Sequence, residues 1–233
     1  MTLFPCAKIN LGLNVVSKRD DGYHNLETVF YPIPLCDALE VTVMDSDFPS
    51  GFPCDLKITG NSIECNEQEN LVVKAYNILS KDFTLPRIHT HLHKQIPSQA
   101  GLGGGSSDAA YMIRLLNECF HWNIERAEME RYAARLGADC AFFISAKPAF
   151  ATGIGEILSP VETVDNQLKG HHILLVKPNV NITTKDAFAH IVPKKPSKSC
   201  RDIVGQPVET WKDELTNDFE TSVFKKYPEL SEI

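Results

Sequence analysis

Residues 94–110 read KQIPSQAGLGGGSSDAA: four glycines among five residues (Gly101, Gly103, Gly104, Gly105), then Ser106, Ser107 and Asp108, then an apolar-periodic stretch. Glycine lets the backbone approach an anion closely and turn through positive φ, and the free N–H groups that open a helix favour negative charge. The stretch therefore suits a polyphosphate, with two serine hydroxyls able to donate to phosphate oxygens or face a magnesium ion. It lacks the Gly-x-x-x-x-Gly-Lys-Ser/Thr spelling of the P-loop, and residues 101–106 run Gly-x-Gly-x-x-Ser, one short of the dinucleotide and protein-kinase patterns. A flexible surface loop is the competing reading; the strand and helix signals that close on both sides weigh against it.

Other residues able to do chemistry are sparser. Asp139 stands beside an apolar run, ADCAFF, as either a helix cap or a catalytic carboxylate. Lys8 and Asn10 share one face of an alternating segment, which by pattern alone is a solvated face. Tyr23 and His24 follow a polar turn over residues 18–22, where they can simply pack over a hairpin. His89, His91 and His93 alternate along a strand, but alternate positions lie about 6.6 Å apart and the outer pair about 13 Å apart, too far for one zinc ion. They read as a solvent-facing or partly buried sheet face, and no protein-held metal site is expected.

The elements that must position these residues follow from periodicity. Residues 4–16, 26–31, 39–43, 56–58 and 87–96 have strand character, and Asn70 caps a helix over residues 71–80 with Leu71, Ala75, Ile78 and Leu79 as its apolar stripe. A second helix runs over residues 107–119, with Asp108 in its first turn, and a third over about residues 125–136, stopped by Gly137. Residues 149–156 read as a hairpin. Beyond residue 160 a second domain is expected, with an apolar strand over residues 172–177, a helix over residues 185–191, a loop over residues 193–199 and a helix start at Asn217. The fold class is α+β, with domains 1–160 and 161–233.

Composition narrows the partners. At 233 residues and a formal net charge of −7, the chain lacks the basic footprint of a general nucleic-acid or membrane-surface binder, so a polyanion must be held locally. Seven cysteines, odd in number and without CxxC pairing, and no leader or long apolar span, read as reduced thiols of a cytoplasmic protein, monomeric or weakly dimeric.

Residues 97–110 closely resemble the second motif of the GHMP kinases, whose members include galactokinase, homoserine kinase and mevalonate and phosphomevalonate kinases. AKINLGL (residues 7–13), DGYH (21–24), LGADCAFF (136–143), ATGIGE (151–156) and NDFE (217–220) resemble further family segments. The resemblance implies a two-domain α+β fold, with a ribosomal-protein-S5-like N-terminal domain and an α/β-sandwich C-terminal domain. It implies an ATP- and Mg²⁺-dependent kinase with a small-molecule acceptor. The spellings AGLGGGSSDAA and GYHNLETVF point to diphosphocytidyl-methylerythritol, phosphorylated on its 2-hydroxyl in the non-mevalonate isoprenoid pathway.

By the same resemblance, Pro97, Ser98, Gln99, Ala100, Gly101, Leu102, Gly103, Gly104, Gly105, Ser106 and Ser107 hold the phosphates, and Asn70, Leu71 and Lys94 lie beside the adenine. Asp139 is the base, kept ionised by Lys8. Asn10, Tyr23, His24, Phe30 and Ile182 face the substrate. A kinase for homoserine or mevalonate and a catalytically silent binding module of the same fold are the other readings. At Cys140 and Ala141 the family more often has Val or Ile and then Pro, so a local backbone change is expected. The family also continues past the position of Ile233 with a third Gly-rich motif, which implies a member lacking roughly its last fifth.

Overall fold

The computed structural model describes residues 1–63 and 65–233. Its strands are β1 (Thr2–Leu3), β2 (Cys6–Lys18), β3 (His24–Cys36), β4 (Ala38–Val43), β5 (Cys54–Gly60), β6 (Ile88–Lys94), β7 (Ala149–Thr152) and β8 (Ile157–Pro160). Its helices are α1 (Leu71–Leu79), α2 (Gly104–Phe120), α3 (Arg126–Ala134), α4 (Phe142–Ser145), α5 (Thr163–Leu168), α6 (Thr184–Phe188), α7 (Cys200–Ile203), α8 (Trp211–Glu214) and α9 (Phe219–Lys226). The chain divides into two compact units, Met1–Lys8 with Pro32–Ala146, and Ile9–Tyr31 with Lys147–Ile233.

The first unit is built on a sheet of order β1-β4-β6-β5. β6 runs antiparallel to β4 and parallel to β5, with Thr90 opposite both Val41 and Leu56. Its sequence IHTHLHK alternates strictly, so Ile88, Thr90, Leu92 and Lys94 are buried while the three histidines are half-buried. The histidines are used locally: His89 bonds Asp55 at 2.7 Å, and His91 and His93 share the Thr59 hydroxyl at 2.8 and 2.9 Å. A partly buried sheet face is what the sequence led us to expect.

The core of this unit is dominated by α1 and α2. Ala109, Ala110, Met112, Ile113, Leu115 and Leu116 of α2 are fully buried, and each large aliphatic side chain taken from water contributes about 1.5–3 kcal/mol. Two expectations are corrected. The helix begins at Gly104, three residues earlier than its apolar pattern suggests, because left-handed Gly103 (φ 70°) serves as its N-cap. The buried stripe of α1 is Val72, Val73, Ala75, Tyr76 and Leu79. Leu71 and Ile78 turn instead to a cavity of about 340 Å³, shared with Lys74, Asn77, Lys81, Arg135 and Leu136.

In the second unit the sheet order is β2-β3-β7-β8. β7 and β8 form the expected hairpin, Ala151 pairing with Leu158, and its turn residues Gly153 and Gly155 have φ of 71° and 113°. Val29, Val161, Val164, Cys200, Ile203, Val204 and Trp211 make the core. The chain returns to β2 near its end: Leu13 N–H donates to Thr216 O and Asp218 N–H to Leu13 O, at 2.9 and 2.8 Å. Gly12 (φ 68°) permits this approach, since a Cβ there would lie 2.8 Å from Leu215 Cδ1.

The strand expected over residues 172–177 does not form. That run joins no ladder, and Leu174 is 86% exposed. A continuous apolar run is strand-like only when a neighbouring strand takes up its backbone groups and a partner covers its faces.

Candidate active site

The glycine loop is bounded by β6 and α2. Lys8, near the start of β2, reaches it through its backbone and turns its side chain to Asp139. Its backbone N–H donates to Leu102 O at 2.9 Å, and its Nζ lies 3.5 Å from Asp139 Oδ2. Lys8 is buried, and burial pulls its ammonium below the usual lysine range, opposed by the Asp139 carboxylate.

Asp139 sits in the turn between α3 and α4 with about a third of its side chain exposed. The alternative of a helix cap is settled by geometry: the N-cap of α4 is Ala141, and no side chain bonds there. The carboxylate is thus held beside a buried lysine with one side toward solvent.

Close packing explains the glycines. A Cβ at Gly103 would lie 2.8 Å from Phe143 Cζ and 3.3 Å from Lys8 Cγ, on a backbone that already disfavours any side chain. A Cβ at Gly104 would meet Ile96 Cγ2 at 3.0 Å and Lys94 Nζ at 3.2 Å. Helix α4, the stem of Lys8 and the end of β6 with Ile96 just beyond it therefore all press on the loop.

Lys94, expected beside the adenine, is 4% exposed and ion-paired with two carboxylates, Asp37 and Asp108, the latter at 2.6 Å. Asp108 is the fifth residue of α2, and Lys94, not the helix dipole, is what its carboxylate meets. Asp37, at the β3–β4 junction, also accepts from the backbone N–H groups of Gln95 and Ile96 at 2.6 and 2.9 Å. Sequence reasoning passed over Asp37. The available signal was one acid between two apolar strands, PIPLC and ALEV. Desolvation pushes the Asp108 carboxyl up to about 7, with Lys94 opposing and Asp37 reinforcing.

Asn70 caps α1, its Oδ1 accepting from Val72 N–H at 2.9 Å. Leu71 adjoins the start of α2, 3.9 Å from where a Cβ on Gly105 would stand. Ser107 Oγ and Asp108 Oδ1 are buried without a hydrogen-bond partner among the described residues. The expected nucleotide residues and the pair Lys8–Asp139 thus all fall in the first unit.

The remaining expected residues lie in the second unit. Asn10 Nδ2 donates to Thr28 Oγ1 at 2.9 Å, and Thr28 in turn donates to Gly12 O at 2.6 Å. Tyr23 is 61% exposed, its turn fixed by the Asp21 carboxylate, which accepts the Tyr23 N–H at 3.0 Å. The His24 ring stacks on Phe188, with centroids 4.8 Å apart, and Phe188 meets Phe219 edge-on. Phe30 is buried in β3, and Ile182 is half-buried just ahead of Thr183, the cap of α6. Phe188 was not singled out from sequence; an aromatic six residues beyond Ile182, at the end of the short helix that follows it, was the signal.

Residues 70–147 match the model of the GHMP kinases N terminal domain. A 4-diphosphocytidyl-2-C-methyl-D-erythritol kinase of Bacteroides fragilis is 54% identical over 233 residues, covering 100% of this chain and 83% of the relative. The chain belongs to the GHMP kinase family. A relative of the same description from Bacteroides thetaiotaomicron is 52% identical over 236 residues, with the same coverage. A crystal structure of 4-(cytidine 5'-diphospho)-2C-methyl-D-erythritol kinase superposes with a TM-score of 0.73 at 28% identity, covering 100% of this chain and 80% of that one. Mevalonate kinase of Methanococcus jannaschii, at 12% identity and a TM-score of 0.54 over 73% of this chain and 58% of that one, shares the fold. The α+β fold expected from the sequence is the one observed, and the segment matched to the GHMP kinase model carries Asn70, the glycine loop and Asp139. Among the described residues, no helix is long and apolar enough to cross a membrane.

Proposed function

We propose that this GHMP kinase transfers the γ-phosphoryl group of ATP to the 2-hydroxyl of 4-diphosphocytidyl-2-C-methyl-D-erythritol, in non-mevalonate isoprenoid synthesis. The observation that carries the chemistry is the Lys8–Asp139 pair, 3.5 Å apart, in which Lys8 also hydrogen-bonds the glycine loop through its backbone N–H. Relatives of that description, 44–54% identical over essentially the whole chain, support the acceptor.

Phosphoryl transfer to an alcohol asks for alignment and charge neutralisation more than covalent help. In our reading, residues 97–107 receive the phosphates, and Asn70 and Leu71 border the base. The acceptor oxygen forms its bond to the γ-phosphorus as the bond to the ADP oxygen breaks. Asp139 takes the hydroxyl proton, and Lys8 steadies the carboxylate and the transferring group. Magnesium held with ATP would supply charge neutralisation at the phosphates, and the buried hydroxyl of Ser107, without a hydrogen-bond partner among the described residues, is a hard oxygen donor of the kind that would hold it.

Tyr23, His24 and Asn10 are assigned to the cytidine-bearing acceptor. The His24–Phe188 stack supplies a flat aromatic platform, and we add Phe188 to Ile182 and Phe30 as a candidate for the cytosine side. We retain a catalytic domain over 1–160 and a second domain over 161–233. All seven cysteines are free, which supports a reducing, cytoplasmic setting, and burial lifts the Cys54 and Cys140 thiols to about 11.

The test is calorimetric titration of the protein with the diphosphocytidyl compound, homoserine and mevalonate, each with and without a non-hydrolysable ATP analogue, followed by turnover. Selective binding and phosphorylation of the diphosphocytidyl compound is expected. Preference for another acceptor would overturn the substrate assignment, and nucleotide binding without turnover of any acceptor would favour a silent binding module.

A further inference from the structure

We infer that Asp37, Lys94 and Asp108 form a buried clamp that sets the shape of the glycine loop for nucleotide, making Asp37 and Asp108 positioning residues for phosphoryl transfer. The inference rests on the reading of residues 97–107 as the phosphate site.

Three separate parts of the chain converge here: the β3–β4 junction, the last residue of β6 and the fifth residue of α2. The Lys94 ammonium donates to a carboxylate oxygen of each acid, and the three side chains are 4%, 0% and 4% exposed. The other oxygen of Asp37 accepts from Gln95 and Ile96 N–H, the two residues that lead into Pro97. The loop's entry and its exit into α2 are thus tied to one ammonium group. A Cβ on Gly104 would stand 3.2 Å from Lys94 Nζ, so the first residue of α2 rests directly over that cation.

Stability alone does not account for such a cluster. Desolvating three charged groups is costly, and apolar replacements of similar volume are often as stable. Geometry does account for it: an ammonium bonded to two carboxylates tolerates little displacement, and its charge adds to the positive end of α2 where phosphate is expected. The charged groups facing Asp108 are Lys94 and Asp37. Burial pushes the Asp108 carboxyl up to about 7, so it is only partly ionised near neutrality, while Lys94 opposes that shift.

The test compares Asp37→Ala and Asp37→Asn with the wild type, reading affinity for a non-hydrolysable ATP analogue, affinity for the acceptor, KM and kcat, and amide hydrogen exchange over residues 97–103. Asp37→Ala is expected to weaken analogue binding and raise KM for ATP tenfold or more. Acceptor affinity and kcat stay within about threefold, and the loop amides exchange faster. Asp37→Asn, which retains an oxygen for the two N–H groups, recovers most of the loss. If Asp37→Ala does not fold, Asp108→Ala, which releases only the helix side, carries the same expectation. Analogue binding within twofold of wild type in a folded variant overturns the clamp. A wild-type protein that binds no analogue overturns the phosphate-site reading beneath it.

Discussion

Lys8 Nζ and Asp139 Oδ2 stand 3.5 Å apart, the lysine almost wholly buried and the aspartate about one-third exposed. The arrangement holds a carboxylate next to a fixed cation while leaving it a face toward solvent, as a base for an incoming hydroxyl requires. Asp139→Asn keeps size and polarity but cannot accept the proton. Its kcat should fall about 10²–10⁴-fold with nucleotide affinity within about twofold. Steady-state kinetics beside calorimetry decide this, and undiminished turnover would remove Asp139 from the mechanism.

Gly103 is held at φ 70° with no room for a side chain between Phe143 and Lys8. Gly103→Ala should destabilise the protein by about 1–3 kcal/mol through strain and crowding and raise KM for ATP, since the loop must shift. Thermal melting and nucleotide titration check both parts. An unaltered melt would show that the loop relaxes freely.

Asp108 gives a pH dependence with a definite sign. Its carboxyl is pushed up to about 7 in the folded state from an ordinary value of 3.8, so between these values the native protein binds a proton that the unfolded chain does not. Stability at this site therefore falls as pH rises from about 4 to about 7 and levels off above. Asp108→Asn, which stays neutral, should lose that slope, its advantage over wild type growing with pH to the order of a few kcal/mol near pH 8. Denaturant melts of both proteins from pH 5 to 8 measure it, and parallel curves would refute the assignment.

The His24–Phe188 contact, with ring centroids 4.8 Å apart, predicts a selective effect on the acceptor. Phe188→Ala should weaken binding of the cytidine compound by about three- to tenfold, matching a loss of roughly 0.5–1.5 kcal/mol for an aromatic pair. ATP-analogue binding should not move. Equal losses for both ligands in calorimetry would indicate a general folding defect.

The local features were legible in the chain alone: the glycine loop between strand and helix, Asn70 as a cap, the half-buried histidine face, the β7–β8 hairpin and the α+β class. Each depends on spacing, turn chemistry or side-chain alternation within a few residues, and those are properties of the chain alone. Other features needed distant residues to meet. Asp37 became the partner of Lys94 across 57 positions, and Phe188 became the ring on His24. The apolar run at 172–177 shows the converse, since strand-like composition made no strand where no neighbour took up its backbone. Lys94 carries the same lesson at one residue. Its place near the loop was legible from its position before Pro97, but whether its ammonium faced solvent, nucleotide or two buried acids was decided by tertiary packing, because desolvation and pairing depend on what surrounds a charge.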